Sequence, residues 1–61
     1  GWKSTNIELP KYGVPCQIRY KDGREDTAVL SSYVGWHEIG ALYAVKEPDY
    51  WRYLPEEEKN S

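Results

Sequence analysis

Val14-Pro15-Cys16-Gln17-Ile18-Arg19-Tyr20-Lys21-Asp22-Gly23 decides how this chain folds. Val14, Cys16, Ile18 and Tyr20 alternate with Gln17 and Arg19, the period-two pattern of a half-buried strand. Lys21-Asp22-Gly23 breaks the run. Arg24 to Ser31 then resumes in residues that suit a second strand. Loop length fixes which side chains share a face, because a slip of one residue inverts a strand. A two-residue Asp22-Gly23 turn would pair Ile18 with Thr27 and put Leu30 on the wet face. A three-residue loop, Lys21-Asp22-Gly23, puts Gly23 at the left-handed position of a bulged turn. It sets Ala28 opposite Cys16, Leu30 opposite Val14, and Arg19 opposite Glu25 as a favourable cross-strand pair. The three-residue loop is the expected register.

Outward from this hairpin the signals shorten. Gly35-Trp36-His37-Glu38-Ile39 reads as a short strand anchored by Trp36 and broken by Gly40. Leu42-Tyr43-Ala44-Val45 fits a strand or one helical turn equally well. Lys46-Glu47-Pro48-Asp49 is a turn. Tyr50-Trp51-Arg52-Tyr53 is a strongly β-prone aromatic strand ended by Pro55. Trp2 to Ile7 fits a short edge strand ahead of Leu9-Pro10. The expected fold is therefore mainly β: a small antiparallel sheet of four or five strands, curled or barrel-like, with little or no helix. Residues 1–55 form one small β domain and 56–61 a polar acidic tail. Trp2, Ile18, Leu30, Trp36, Trp51 and Leu54 are the expected core.

Composition narrows the classes. The 61 residues leave no room for a second domain or a repeat array. Eleven Val, Ile and Leu and no Phe are few for a core, but three Trp and six Tyr supply the missing area. Six or seven buried rings would hold a core of this size together. The domain is expected to be folded but marginal, or stabilised by homo-oligomerisation. Net charge is −2, with residues 1–30 at +1 and residues 31–61 at −3. That balance is not the basic footprint of a nucleic-acid binder. No apolar run approaches the roughly 18 residues of a membrane span. No basic-then-apolar export pattern opens the chain, so the expected location is the reducing cytoplasm.

Catalytic and metal-binding sets are sparse. Cys16, the single cysteine, falls on the apolar face of the best strand and reads as a small buried hydrophobe. His37, the single histidine, is separated from it by twenty residues without a CxxC-type pair, a poor basis for a zinc site. A Cys16/His37 nucleophilic pair is the alternative that sequence leaves open. The glycines are scattered singly, so no phosphate-cradling loop exists. No enzyme activity, no cofactor and no metal are expected.

The aromatics carry the functional reading. Alternation on the last strand puts Trp51 and Tyr53 on one face and Tyr50 and Arg52 on the other. Tyr50 with Arg52, joined by Tyr33 and Tyr43, then forms an exposed patch. Tyr, Trp and Arg dominate protein–protein hot spots. Trp36, Tyr43 or Trp51 would alternatively serve as stacking walls for a small ligand such as a nucleotide. Single-stranded nucleic acid is a third reading, disfavoured by the acidic balance. The candidate binding residues are Tyr50, Arg52, Tyr43, Tyr33 and Trp36.

The order Trp2, Leu9-Pro10, Gly13, Cys16-Gln17-Ile18-Arg19-Tyr20, Gly23, Trp36 and Tyr50-Trp51-Arg52-Tyr53-Leu54-Pro55 resembles a family. These are small phage and prophage domains of unknown function that open with Trp, reach Leu-Pro soon after, and close on His-Trp-Met-Pro-Leu-Pro. Tyr50 stands where the family usually has His, Arg52 replaces Met and Tyr53 replaces Pro, and His37 is not the equivalent of the missing His. The resemblance implies phage-type origin and action in the cytoplasm of a bacterial host cell. The expected role is a non-catalytic module that binds a host protein, defence machinery included.

Overall fold

The hairpin read from sequence is present in the computed structural model, which describes residues 1–55. The segment 56–61, assigned above to a tail, lies outside the described residues. Strand β2 (Cys16–Arg19) pairs antiparallel with β3 (Glu25–Ser31), with Cys16 opposite Ala28 and Arg19 opposite Glu25. Tyr20 donates its amide to the Arg24 carbonyl at 2.9 Å, and Gly23 donates to Tyr20 at 2.9 Å. Gly23 has φ +94°, the left-handed conformation that the three-residue loop requires.

The remaining strands are β1 (Lys3–Ser4), β4 (Gly35–His37) and β5 (Tyr50–Tyr53). Together the five form one antiparallel sheet in the order β1-β5-β2-β3-β4. The protein is thus mainly β, built on an open, curled sheet. Segment 42–45 is neither a strand nor a helical turn. It touches β4 through a single bridge between Ala44 and His37, and Val45 donates its amide to the Trp36 carbonyl at 2.9 Å.

The pairing of Leu30 with Val14 does not form. Pro15 has no N–H to give to a ladder, so the chain leaves the sheet before Cys16. Gly13 takes over, donating its amide to the Leu30 carbonyl at 2.8 Å.

One face of the sheet carries the core: Cys16, Ile18, Tyr20, Ala28, Leu30, Trp36 and Trp51, with Val45 and Tyr53 packed against it. Trp51 and Tyr53 meet edge to face at 5.0 Å. Among the described residues, no helix covers this face. Two irregular connections do, and the polar tips of the core rings tie them down. Trp51 donates its indole N–H to the Glu8 carbonyl at 2.9 Å, and the Lys11 amide donates to the Tyr53 hydroxyl at 3.1 Å. Both contacts fasten the segment between β1 and β2. Tyr20 donates its hydroxyl to the Lys46 carbonyl at 2.7 Å, fastening the segment between β4 and β5. Thr5 closes the layer by donating its hydroxyl to the carbonyl of buried Pro48 at 2.8 Å.

The core needs fewer rings than expected. Tyr20, Trp36 and Trp51 are buried, and Tyr53 is half-buried against them. Trp2 and Leu54, expected inside, are each only half-buried. Trp2 precedes the two-residue edge strand and lies against arginine side chains instead of the cluster. Tyr12, Tyr33, Tyr43 and Tyr50 are exposed.

Candidate functional site

Strand parity sets the second face. Opposite the core, the ladder between β5 and β2 brings Arg52 beside Gln17 and Tyr50 beside Arg19. Ser4 of β1 flanks Tyr50, and Glu25 and Thr27 of β3 flank Arg19 and Gln17. Long side chains on such a face reach their cross-strand neighbours. Arg52 donates its Nε–H to the Gln17 Oε1 at 2.6 Å. Its guanidinium carbon also lies 4.3 Å from the centre of the Trp2 ring. Arg19 approaches the same ring at 5.9 Å and Glu25 at 3.8 Å, the latter contact between half-exposed groups. Exposed cation–π contacts contribute about 0.5–1 kcal/mol each and the ion pair no more than that.

The patch is continuous with a concavity of about 350 Å³ lined by Trp2, Arg19, Tyr20, Lys21 and Tyr50. Asp49 holds its floor in place: its amide donates to the Arg19 carbonyl at 3.1 Å, and its carboxylate accepts the Lys21 amide at 2.8 Å. At the hairpin tip, the Asp22 carboxyl is held below the ordinary carboxylate range chiefly by the Arg24 amide, assisted by the Arg24 side chain at 2.9 Å. The Arg24 guanidinium also lies 4.7 Å from the centre of the Tyr20 ring. Burial raises the Tyr20 hydroxyl above its ordinary value. The charge of Arg24 opposes that shift, and Asp26, Asp22 and Asp49 add to it.

The five residues singled out from sequence do not form one patch. Tyr50 and Arg52 share the open face as alternation required. Trp36 is 5% exposed and belongs to the core, so it offers no ring to a partner. Tyr33 sits in the turn between β3 and β4, and Tyr43 in the segment that bridges to β4. Strand β4 is the far edge of the sheet from β1. Both tyrosines are well exposed, but they are separated from Tyr50 by the width of the sheet. Adjacency in the chain said nothing about which edge each would occupy. Trp2, Arg19 and Lys21 are the members that sequence reasoning missed. Arg19 was legible as a wet-face residue. Trp2 reaches the site only through the pairing of β1 with β5, a contact between the two ends of the chain.

Cys16 and His37 point to opposite faces. Cys16 faces the core opposite Ala28, whereas His37 stands opposite Val29 on the other side. The His37 Nδ1 meets the carbonyls of Glu38 at 2.8 Å and Ala41 at 2.7 Å, so that nitrogen carries the hydrogen and donates. The imidazole thereby pins the turn after β4. Among the described residues, no group of three or more His, Cys, Asp or Glu is placed to hold a metal ion. No helix among them is long and apolar enough to cross a membrane.

No family model, curated protein or solved structure matches this chain.

Proposed function

We propose that this chain is a non-catalytic interaction module that docks on a host protein through the open sheet face at Trp2, Tyr50 and Arg52. The observation that carries the reading is Arg52, fixed at once by Gln17 and by the Trp2 ring. A guanidinium ordered before binding loses less side-chain freedom when a partner arrives. It stands beside an indole and a phenol, the side-chain types that supply most hot-spot energy.

The sequence resemblance to small phage domains supports a bacterial cytoplasm as the setting and a host component, such as defence machinery, as the partner. That last step is an analogy of origin. A second reading, a small ligand held between aromatic walls, is favoured by the concavity beside Trp2. A polynucleotide is disfavoured by the net charge of −2.

Affinity capture from bacterial lysate tests the docking reading, with the wild-type chain beside the Tyr50→Ala/Arg52→Ala variant. A specific partner retained by the wild type and lost by the folded variant supports it. Equal recovery by both removes this face from the account.

A further inference from the structure

We propose that the concavity beside Trp2 binds a free mononucleotide, a flat heteroaromatic ring carrying one phosphate. Two of its lining residues, Trp2 and Tyr50, are aromatic side chains of the open face, two more, Arg19 and Lys21, are cationic, and Tyr20 lines it while its ring belongs to the core. Aromatic walls suit a ring of any base identity, because every nucleobase has a π-face. Guanidinium and ammonium groups suit a phosphate. The volume, about 350 Å³, falls at the small end of the range for ligand sites and accommodates one nucleotide.

The neighbouring charges favour a single phosphate. Asp22, Glu25 and Asp49 stand close to the cations, and each already has a partner: Arg24 for Asp22, Arg19 for Glu25, the Lys21 amide for Asp49. The bond between Arg19 and Glu25 is the loosest of the three, at 3.8 Å and half-exposed. Arg19 can therefore turn to a phosphate at small cost, while the same carboxylates repel a chain of phosphates. Asp49 anchors the backbone of both Arg19 and Lys21, so the two cations are presented from a fixed floor. This proposal rests on the second reading above, a small ligand at the concavity, and does not depend on a protein partner.

The test uses the purified chain and the three indole N–H resonances. Trp2 is half-buried in the concavity, whereas Trp36 and Trp51 are core residues that report the fold. AMP is titrated beside adenosine, inorganic phosphate and a short single-stranded oligonucleotide. The expected result is a saturable shift of Trp2 by AMP at about 1 mM or below, with Trp36 and Trp51 unmoved. Adenosine and phosphate are each expected to bind at least roughly tenfold more weakly than AMP. The Arg19→Gln/Lys21→Gln variant should lose a similar factor for AMP while keeping its Trp36 and Trp51 signals. The proposal is overturned if AMP leaves Trp2 unshifted, if adenosine binds as tightly as AMP, or if the oligonucleotide binds and AMP does not. It is equally overturned if the folded double variant keeps full AMP affinity. A docking failure in lysate would leave these outcomes unaffected.

Discussion

The indole nitrogen of Trp51 donates to the carbonyl of Glu8, forty-three residues earlier in the chain. One side chain thus fills the core and ties the first connection over it. Trp51→Phe keeps most of the ring area but loses that bond and some volume, at a cost of about 1–2 kcal/mol. Trp51→Ala costs roughly 3–5 kcal/mol, comparable with the whole stability of a domain this size. Urea unfolding followed by circular dichroism should show a lowered midpoint with an unchanged slope for the first variant, and no folded baseline for the second.

Tyr20 gives the fold an alkaline limit. Its hydroxyl is raised above the ordinary tyrosine value by burial and donates to the Lys46 carbonyl. In the unfolded chain the same group ionises near pH 10, so above that pH the folded state binds more protons than the unfolded one. This contribution is fully present below the ordinary value and is lost as pH rises through the folded value. Tyr20→Phe should be less stable at neutral pH by about 1 kcal/mol. Its stability should also fall less steeply than wild type above about pH 10. Chemical denaturation at a series of pH values reads both.

Gly23 isolates backbone conformation from packing. A Cβ there meets nothing within 4 Å, yet φ is +94°. Gly23→Ala should therefore cost about 1–2 kcal/mol through the left-handed conformation alone, and Gly23→Asn distinctly less. A thermal melt of the two variants would expose any steric clash as a reversal of that order.

The hairpin was legible because alternation, a three-residue Lys21-Asp22-Gly23 loop and an Arg–Glu pair all agreed on one register. Tyr50-Trp51-Arg52-Tyr53 was equally legible, since its faces follow from period two once Trp51 is placed inside. What alternation could not supply was the pairing of chain ends. Trp2 joins the site, and misses the core, because β1 lies beside β5. Nor could it foresee that two irregular connections would form the covering layer, since each is fixed by single hydrogen bonds to distant rings. Tyr33, Tyr43 and Trp36 were grouped with Tyr50 by residue type alone, and the sheet order separates them.

Loss of docking must be distinguishable from loss of fold. Tyr50→Ala/Arg52→Ala removes one exposed cation–π contact and one hydrogen bond to Gln17, both outside the core. Its unfolding free energy should fall by no more than about 2–3 kcal/mol from wild type. A larger loss would place these residues among the determinants of folding and would require milder substitutions in any capture experiment.

Hydroxyl-radical footprinting of the captured complex against the free chain tests the docking face most directly. Trp2 and Tyr50 should become protected on binding, while Tyr33 and Tyr43 at the β4 edge react as they do in the free chain. Protection of Tyr33 and Tyr43 with unchanged reactivity at Trp2 and Tyr50 would contradict docking through this face.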